Sequence, residues 1–131
     1  MATLEKVMAV LYSAGEPMNG SDMNDVEAMA YARQYFPDGD YCLVRNWRWL
    51  DLEVTESQRL LLEKTRRQPA LIYAHTVIYD SARRWDVGDF VRTSLLHQHE
   101  DFHFKTLNTV YLLLGPGTRI QVSADAVASI F

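Results

Sequence analysis

The sequence predicts an α+β domain, with N-terminal helices packed on a strongly curved antiparallel sheet of about five strands, and an SH3-like form as its specific version. Three observations carry this. Helical periodicity is strongest in the first 37 residues, strand signals crowd into the stretch from Trp85 to Val122, and the loops between those strands are short. Antiparallel neighbours need only such loops, whereas parallel neighbours need a crossover of about a dozen residues or more.

The elements follow in chain order. Leu4, Val7, Met8 and Leu11 form one stripe of a helix over residues 2–13, ended by Gly15-Glu16-Pro17. A second helix is expected from Ser21 to about Tyr35, with acidic residues near its start and Met23, Val26, Met29 and Ala30 on one side. Pro37-Asp38-Gly39 stops it. Asp40 to Trp49 reads as a strand in which Tyr41, Leu43, Arg45, Trp47 and Trp49 alternate with Cys42, Val44, Asn46 and Arg48. Thr55-Glu56-Ser57-Gln58 fits a capping box, which opens a short helix to about Arg66 with Leu60, Leu61 and Leu62 partly buried.

Ala70 to Tyr79 is rich in Ile, Val, Tyr and Thr and reads as a strand that pairs with either the Tyr41 strand or the later meander. Val87-Gly88-Asp89 turns into a strand from Phe90 to Leu96. A polar tip at Gln98 to Asp101 reverses the chain, Phe102 to Leu114 returns as one long strand, and Gly115-Pro116-Gly117 turns it into Thr118 to Val122. Val110 to Leu114 is apolar on both faces, which predicts a central strand covered on both sides. Ser123 caps a last helical turn.

At 131 residues, the chain fits one domain, 1–131, divided into a helical part (1–37) and a mostly β part (40–123) with one short helix. Apolar content of 48% and charged content of 23% are those of a folded globule, not of a disordered chain. The net charge of −4 disfavours a general nucleic-acid or anionic-membrane surface. Cys42 is the single cysteine, so no intramolecular disulfide forms and a reducing, cytoplasmic setting is expected. There is no apolar run of about 18 residues and no signal-peptide pattern, so no membrane association is expected.

Candidate chemistry falls into three groups. Arg45-Asn46-Trp47-Arg48-Trp49, with Arg92, is the expected binding patch, because Trp and Arg dominate protein-binding hot spots. With Arg66, Arg67, Arg83 and Arg84 the same patch could stack on and neutralise a single-stranded nucleic acid. Against both stands the reading of Trp47 and Trp49 as core residues whose neighbouring arginines reach to water. Second, His97, His99 and His103 with Asp101 form a metal-like set that zinc or nickel accepts if the strand runs straight, although a turn inside the run would scatter it. Third, His75 could act as a general base beside Asp80 or Asp89. Ser94 and Cys42 lack a nucleophile motif, and Gly115 to Arg119 lacks the P-loop lysine.

Val44 to Asp51, Ala70 to Ser81, Gly88 to Ser94 and Phe104 to Gly115 together resemble a family of small uncharacterised bacterial proteins, mainly from pseudomonads, classed as a domain of unknown function. The resemblance spans roughly residues 40–120. It implies a bacterial cytoplasmic protein of one domain and brings no activity, cofactor or catalytic residue with it. The expected function is therefore a non-enzymatic binding or regulatory module without cofactor. Its partner is expected to be another protein, a second copy of the chain included; a His-based metal-dependent or His/Asp hydrolase and a single-strand binder are the alternatives.

Overall fold

One long strand sets the architecture of the computed structural model, which describes residues 4–124. The order is α1 (Leu4–Tyr12), β1 (Glu16–Asn19), α2 (Asp25–Tyr35), β2 (Tyr41–Glu53), α3 (Glu56–Lys64), β3 (Ala70–Asp80), β4 (Val91–Arg92), β5 (Gln98–Glu100), β6 (His103–Lys105), β7 (Val110–Leu113) and β8 (Pro116–Ser123). Along one edge β2 pairs antiparallel with β3, from Cys42 opposite Asp80 to Asp51 opposite Ala70. Along its other edge it pairs in parallel with β7 through its first half and with β8 through its second.

The remaining pairs are antiparallel: β1 with β8, β3 with β4, β5 with β6, and β6 with β7. Between β4 and β5 the chain keeps bonding to β3, with Leu96 N donating to Ala70 O and Gln68 N to Leu96 O. It then crosses to β6 through His97 N to Lys105 O. The pairing thus runs from β2 through β3, the β4–β5 segment, β6 and β7 back to β2. A mostly antiparallel sheet is bent into a barrel.

The barrel interior is filled from every side of this ring, by Val44, Trp47 and Trp49 of β2, Ile72, Ala74 and Val77 of β3, Val91, Leu96, Phe104, Tyr111 and Leu113. Each large apolar side chain fully withdrawn from water contributes about 1.5–3 kcal/mol. Outside the barrel, α2 covers Leu43, Leu112 and Leu114 through the small side chains of Ala28 and Ala32, while Leu11 at the end of α1 packs with Leu50, Leu71, Tyr73 and Val122. The strand β7 is covered on both faces, as its doubly apolar sequence predicts.

Several elements depart from the sequence reading. Phe102 to Leu114 is not one strand. The Thr106 hydroxyl accepts from Asn108 N and Thr109 N, and Thr106 N donates to Thr109 O, so the chain reverses between β6 and β7. That reversal brings Phe104 opposite Tyr111, both facing the interior, although strict alternation along one strand puts them on opposite sides. Gly115-Pro116-Gly117 is not a hairpin turn: β7 and β8 continue in one direction along β2, with the register slipping by one residue between them. Gly115 takes the left-handed φ of +71° at this slip, and a side chain on Gly117 would collide with the Trp47 ring. The parallel pairs themselves were not expected; the excursion through α3 and β3 to β6 supplies the crossover.

Within β2 the alternation also breaks. Asn46 adopts φ +53°, which an asparagine tolerates better than most residues, and the phase of the strand flips there. Cys42 and Val44 point inward before it; Trp47 and Trp49 point inward after it. The sequence reading missed β1, an edge strand in which Pro17 is tolerated. In α2, Asn24 and Glu27 form a capping box, and the face packed on the barrel is Ala28 and Ala32 with Met29, while Val26 and Ala30 lie outward. The Thr55–Gln58 capping box of α3 forms as expected, but Leu60 and Leu61 are exposed and only Leu62 is half-buried. The helical turn expected beyond Ser123 lies mostly outside the described residues.

Candidate functional site

The aromatic and basic stretch of β2 does not form a surface. Trp47 is 1% and Trp49 3% exposed, both inside the barrel. Trp47 Nε1 donates to Leu114 O at 3.2 Å and Trp49 Nε1 to Asp51 Oδ1 at 3.0 Å, so each indole has its polar edge satisfied within the chain. Arg45 leans on α2, with Nε donating to Asp25 Oδ1 at 2.8 Å and Nη2 to Met23 O at 2.9 Å. It also lines a cavity of about 640 Å³ with Asn19, Ser21, Asp22, Asp101 and Phe102. Arg48 is buried on the outer face of the sheet, next to the end of α1. The phase flip at Asn46 puts the tryptophans inside.

The three tip histidines separate, because the chain reverses at Asp101, which takes φ +54°. His97 Nδ1 donates to Arg66 O, and His99 Nε2 to Asp101 O, each at 2.6 Å. The His103 Nε2 shares a 2.6 Å hydrogen bond with the Tyr31 hydroxyl of α2. His103 is held below the usual imidazole range by burial and then by Lys105, against the pull of Glu100 and Asp101. Among the described residues no cluster of three His, Cys, Asp or Glu side chains could hold a metal ion.

His75 sits half-buried on the outer face between Tyr73, at 4.9 Å in edge contact, and Tyr12, stacked at 6.2 Å. Burial and then the Arg48 charge lower its pKa, opposed by a backbone hydrogen bond with Leu11. The carboxylates expected to serve it are engaged elsewhere. Asp89 Oδ2 accepts from Asp86 N at 3.0 Å in an exposed turn, and both Asp80 oxygens accept from Arg84. The Cys42 thiol is fully buried and burial, reinforced by Asp80, pushes it up to about 12. At neutral pH it is a protonated core side chain, not a nucleophile.

The structure brings a different set together along the edge of β3. Trp85, Asp89, Phe90 and Arg92 line a surface cleft of about 420 Å³. Phe90 is 53% exposed, stacks on Tyr73 at 6.0 Å, and has the exposed Val87 near it in the chain. The floor is stiff. The Arg84 guanidinium lies 4.4 Å over the Trp85 ring, and its Nε and Nη2 donate to Asp80 at 3.1 and 3.0 Å while Nη1 donates to Thr109 Oγ1 at 3.1 Å. The Asp80 side chain is entirely buried. Its burial raises the carboxyl pKa, but the hydrogen bonds and charge of Arg84 outweigh that and hold it below the ordinary value.

Of the residues singled out from the sequence, Arg92 and Asp89 therefore meet in one cleft, while Trp47 and Trp49 are enclosed. Trp85 and Phe90 were missed. The available signal was their position: large aromatics beside arginines and a glycine turn, in a segment too polar for a core strand.

Residues 19–129 match the family model Domain of unknown function (DUF6957). The chain belongs to that family. No curated protein matches, and neither does any solved structure. The family match takes in α2, the whole barrel and the Trp85 cleft, whereas α1 and most of β1 precede it. Among the described residues no helix is long and apolar enough to cross a membrane.

Proposed function

We propose that the domain is a non-enzymatic binding module, an SH3-like barrel that holds a protein partner in the cleft of Trp85, Asp89, Phe90 and Arg92. The observation that carries this reading is Phe90, 53% exposed in one cleft with Arg92 and with Trp85, whose ring is covered by the Asp80-bound Arg84. Aromatic and arginine side chains set in a fixed frame are the residue types that concentrate binding energy, and a pre-formed frame lowers the ordering cost of association. The exposed Val87 and Phe90 supply apolar contact; Arg92 and Asp89 supply directional polar contact. A bacterial cytoplasmic setting accords with the lone cysteine and with the family resemblance.

The reading is tested with a photo-crosslinking residue at Val87 in living cells, and a control at Leu61, which is also exposed. A discrete adduct from position 87 but not from 61 is expected. Phe90→Ala should weaken it by about 2 kcal/mol, some thirtyfold in affinity, and Arg92→Glu should abolish it. An adduct of twice the chain mass would identify the partner as a second copy. Equal labelling from both positions, or labelling indifferent to Phe90→Ala, removes the cleft as the contact.

A further inference from the structure

Three consecutive residues fasten α1 to the barrel. Leu11 sets its side chain among Leu50, Leu71, Tyr73 and Val122. Tyr12 stacks on the His75 ring at 6.2 Å, and His75 also hydrogen-bonds the backbone of Leu11. The Ser13 carbonyl accepts from Arg48 Nη2 at 2.6 Å. Upstream of these contacts Leu4 and Met8 are exposed. The ring of strands closes without α1, which also precedes the family match. A helix of nine residues is too short to persist in water by itself, so α1 stays helical only while residues 11–13 hold it on the sheet.

The seat of this helix is electrostatically one-sided. Arg48 is only 8% exposed, its Nε is buried without a hydrogen-bond partner, and so is the hydroxyl of Thr118, its registered neighbour on β8. Around His75, α1 supplies Tyr12 and the Leu11 backbone, β3 supplies the Tyr73 ring in edge contact at 4.9 Å, and β2 supplies the Arg48 guanidinium. Arg92 of β4 stands further out, opposite Tyr73. Among the described residues no carboxylate acts on the imidazole. A neutral imidazole suits such a place. An imidazolium adds a second cation beside one that is already uncompensated, where water is excluded. With α1 lifted, water reaches Arg48, Thr118 and His75 alike, and that penalty disappears.

We propose that α1 is a pH-released strap: protonation of His75 next to Arg48 detaches residues 11–13 and uncovers the outer apolar cluster of Leu50, Leu71, Tyr73 and Val122. His75 binds its proton less readily under α1 than in free water, through burial and then the Arg48 charge. Its contribution to docking is therefore present in full above the free imidazole value of about 6.5 and is lost as pH falls from there through the lower docked one. Between pH 8 and pH 5 the ratio of docked to lifted helix falls by up to about thirtyfold, the limit reached when the docked imidazole takes up no proton. The strap uses neither the cleft at Trp85 nor its partner, so the two readings stand or fall separately.

Amide hydrogen exchange in the full chain reads the strap, as protection factors from which the intrinsic effect of pH is divided out. At pH 8 the amides of residues 8–12 should be less protected than those of β2, because α1 lifts while the barrel stays folded. At pH 5 their protection should be lower still, within that thirtyfold limit, while the imidazole carbon shifts of His75 report its protonation. His75→Gln, which keeps a donor for the Leu11 backbone but takes up no proton, should remove the fall, and Arg48→Met should reduce it. Protection of α1 equal to that of β2, protection unchanged by pH, or a fall that persists in His75→Gln overturns the proposal. So does, in the wild type alone, a fall that levels off at a pH where His75 is still neutral.

Discussion

At one end of the barrel Arg84 meets a carboxylate, and on the outer face next to the end of α1 Arg48 meets none among the described residues. Both guanidiniums sit against β strands. Arg84 is 36% exposed through its side chain and spends its donors on Asp80 and Thr109; Arg48 is the more deeply buried and gives one hydrogen bond to a neutral carbonyl. The difference teaches what a buried charge is for. The first pair ties the strand end of β3 to the cleft and to β7, and its charges compensate each other. The second has withdrawn a cation from water with no countercharge among the described residues, an arrangement with little structural return.

The largest effect should come from breaking the compensated pair. Asp80→Ala leaves Arg84 beside Trp85 without its acceptor and removes the carboxylate that receives Arg84 N at 2.7 Å. Removing one member of a buried ion pair costs about 3–5 kcal/mol, and the partial exposure of Arg84 puts the expected loss near the lower bound. Urea unfolding measures it. A loss below about 1 kcal/mol would show that the pair does not lock this end of the barrel or anchor Trp85 beside the cleft.

The same pair predicts a pH dependence of intermediate size. The folded Asp80 carboxyl lies below its ordinary value, so it binds protons less readily in the native chain than in the unfolded one. Its contribution is present in full above the unfolded carboxyl pKa of about 4 and is lost as pH falls through the lower folded value. Each unit of depression corresponds to about 1.4 kcal/mol. Stability measured from pH 6 down to pH 2 should fall more steeply in the wild type than in Asp80→Asn, and parallel curves would mean that Arg84 does not perturb Asp80.

Much of the fold was legible, and the errors share a cause. The capping box at Thr55, the helix ending near Tyr35 and the doubly covered strand around Val110 to Leu113 follow from local patterns of a few residues. The failures come where one residue changes the phase of a long pattern. Asn46 reverses the inward side of β2, the Thr106 hydroxyl turns a continuous apolar run into a hairpin, and the glycines at 115 and 117 let β7 pass into β8 without reversing. No window of sequence shows which side of such a point faces the core, because that depends on partners up to 70 residues away. The expected binding patch failed for the same reason: its tryptophans lie just past Asn46. Arg92 and Asp89 remained at the surface because a glycine turn and a two-residue strand hold them, where alternation has no length over which to err.

The smallest effect is the most discriminating. Arg48→Met should change stability by less than about 1 kcal/mol or raise it, because an apolar side chain of similar length replaces a desolvated cation that has no countercharge among the described residues. It should also raise the pKa of His75, which in the wild type is lowered by burial and then by Arg48. The His75 contribution is present above the unfolded imidazole value of about 6.5 and lost as pH falls through the lower folded one, so the variant should lose less stability between pH 7 and pH 5. Imidazole carbon shifts followed by NMR report the pKa, and urea unfolding at the two pH values reports the linkage. A destabilisation by Arg48→Met as large as that of Asp80→Ala would mean that the contact with Ser13 anchors α1 strongly enough to offset the buried charge, and the contrast between the two arginines would disappear.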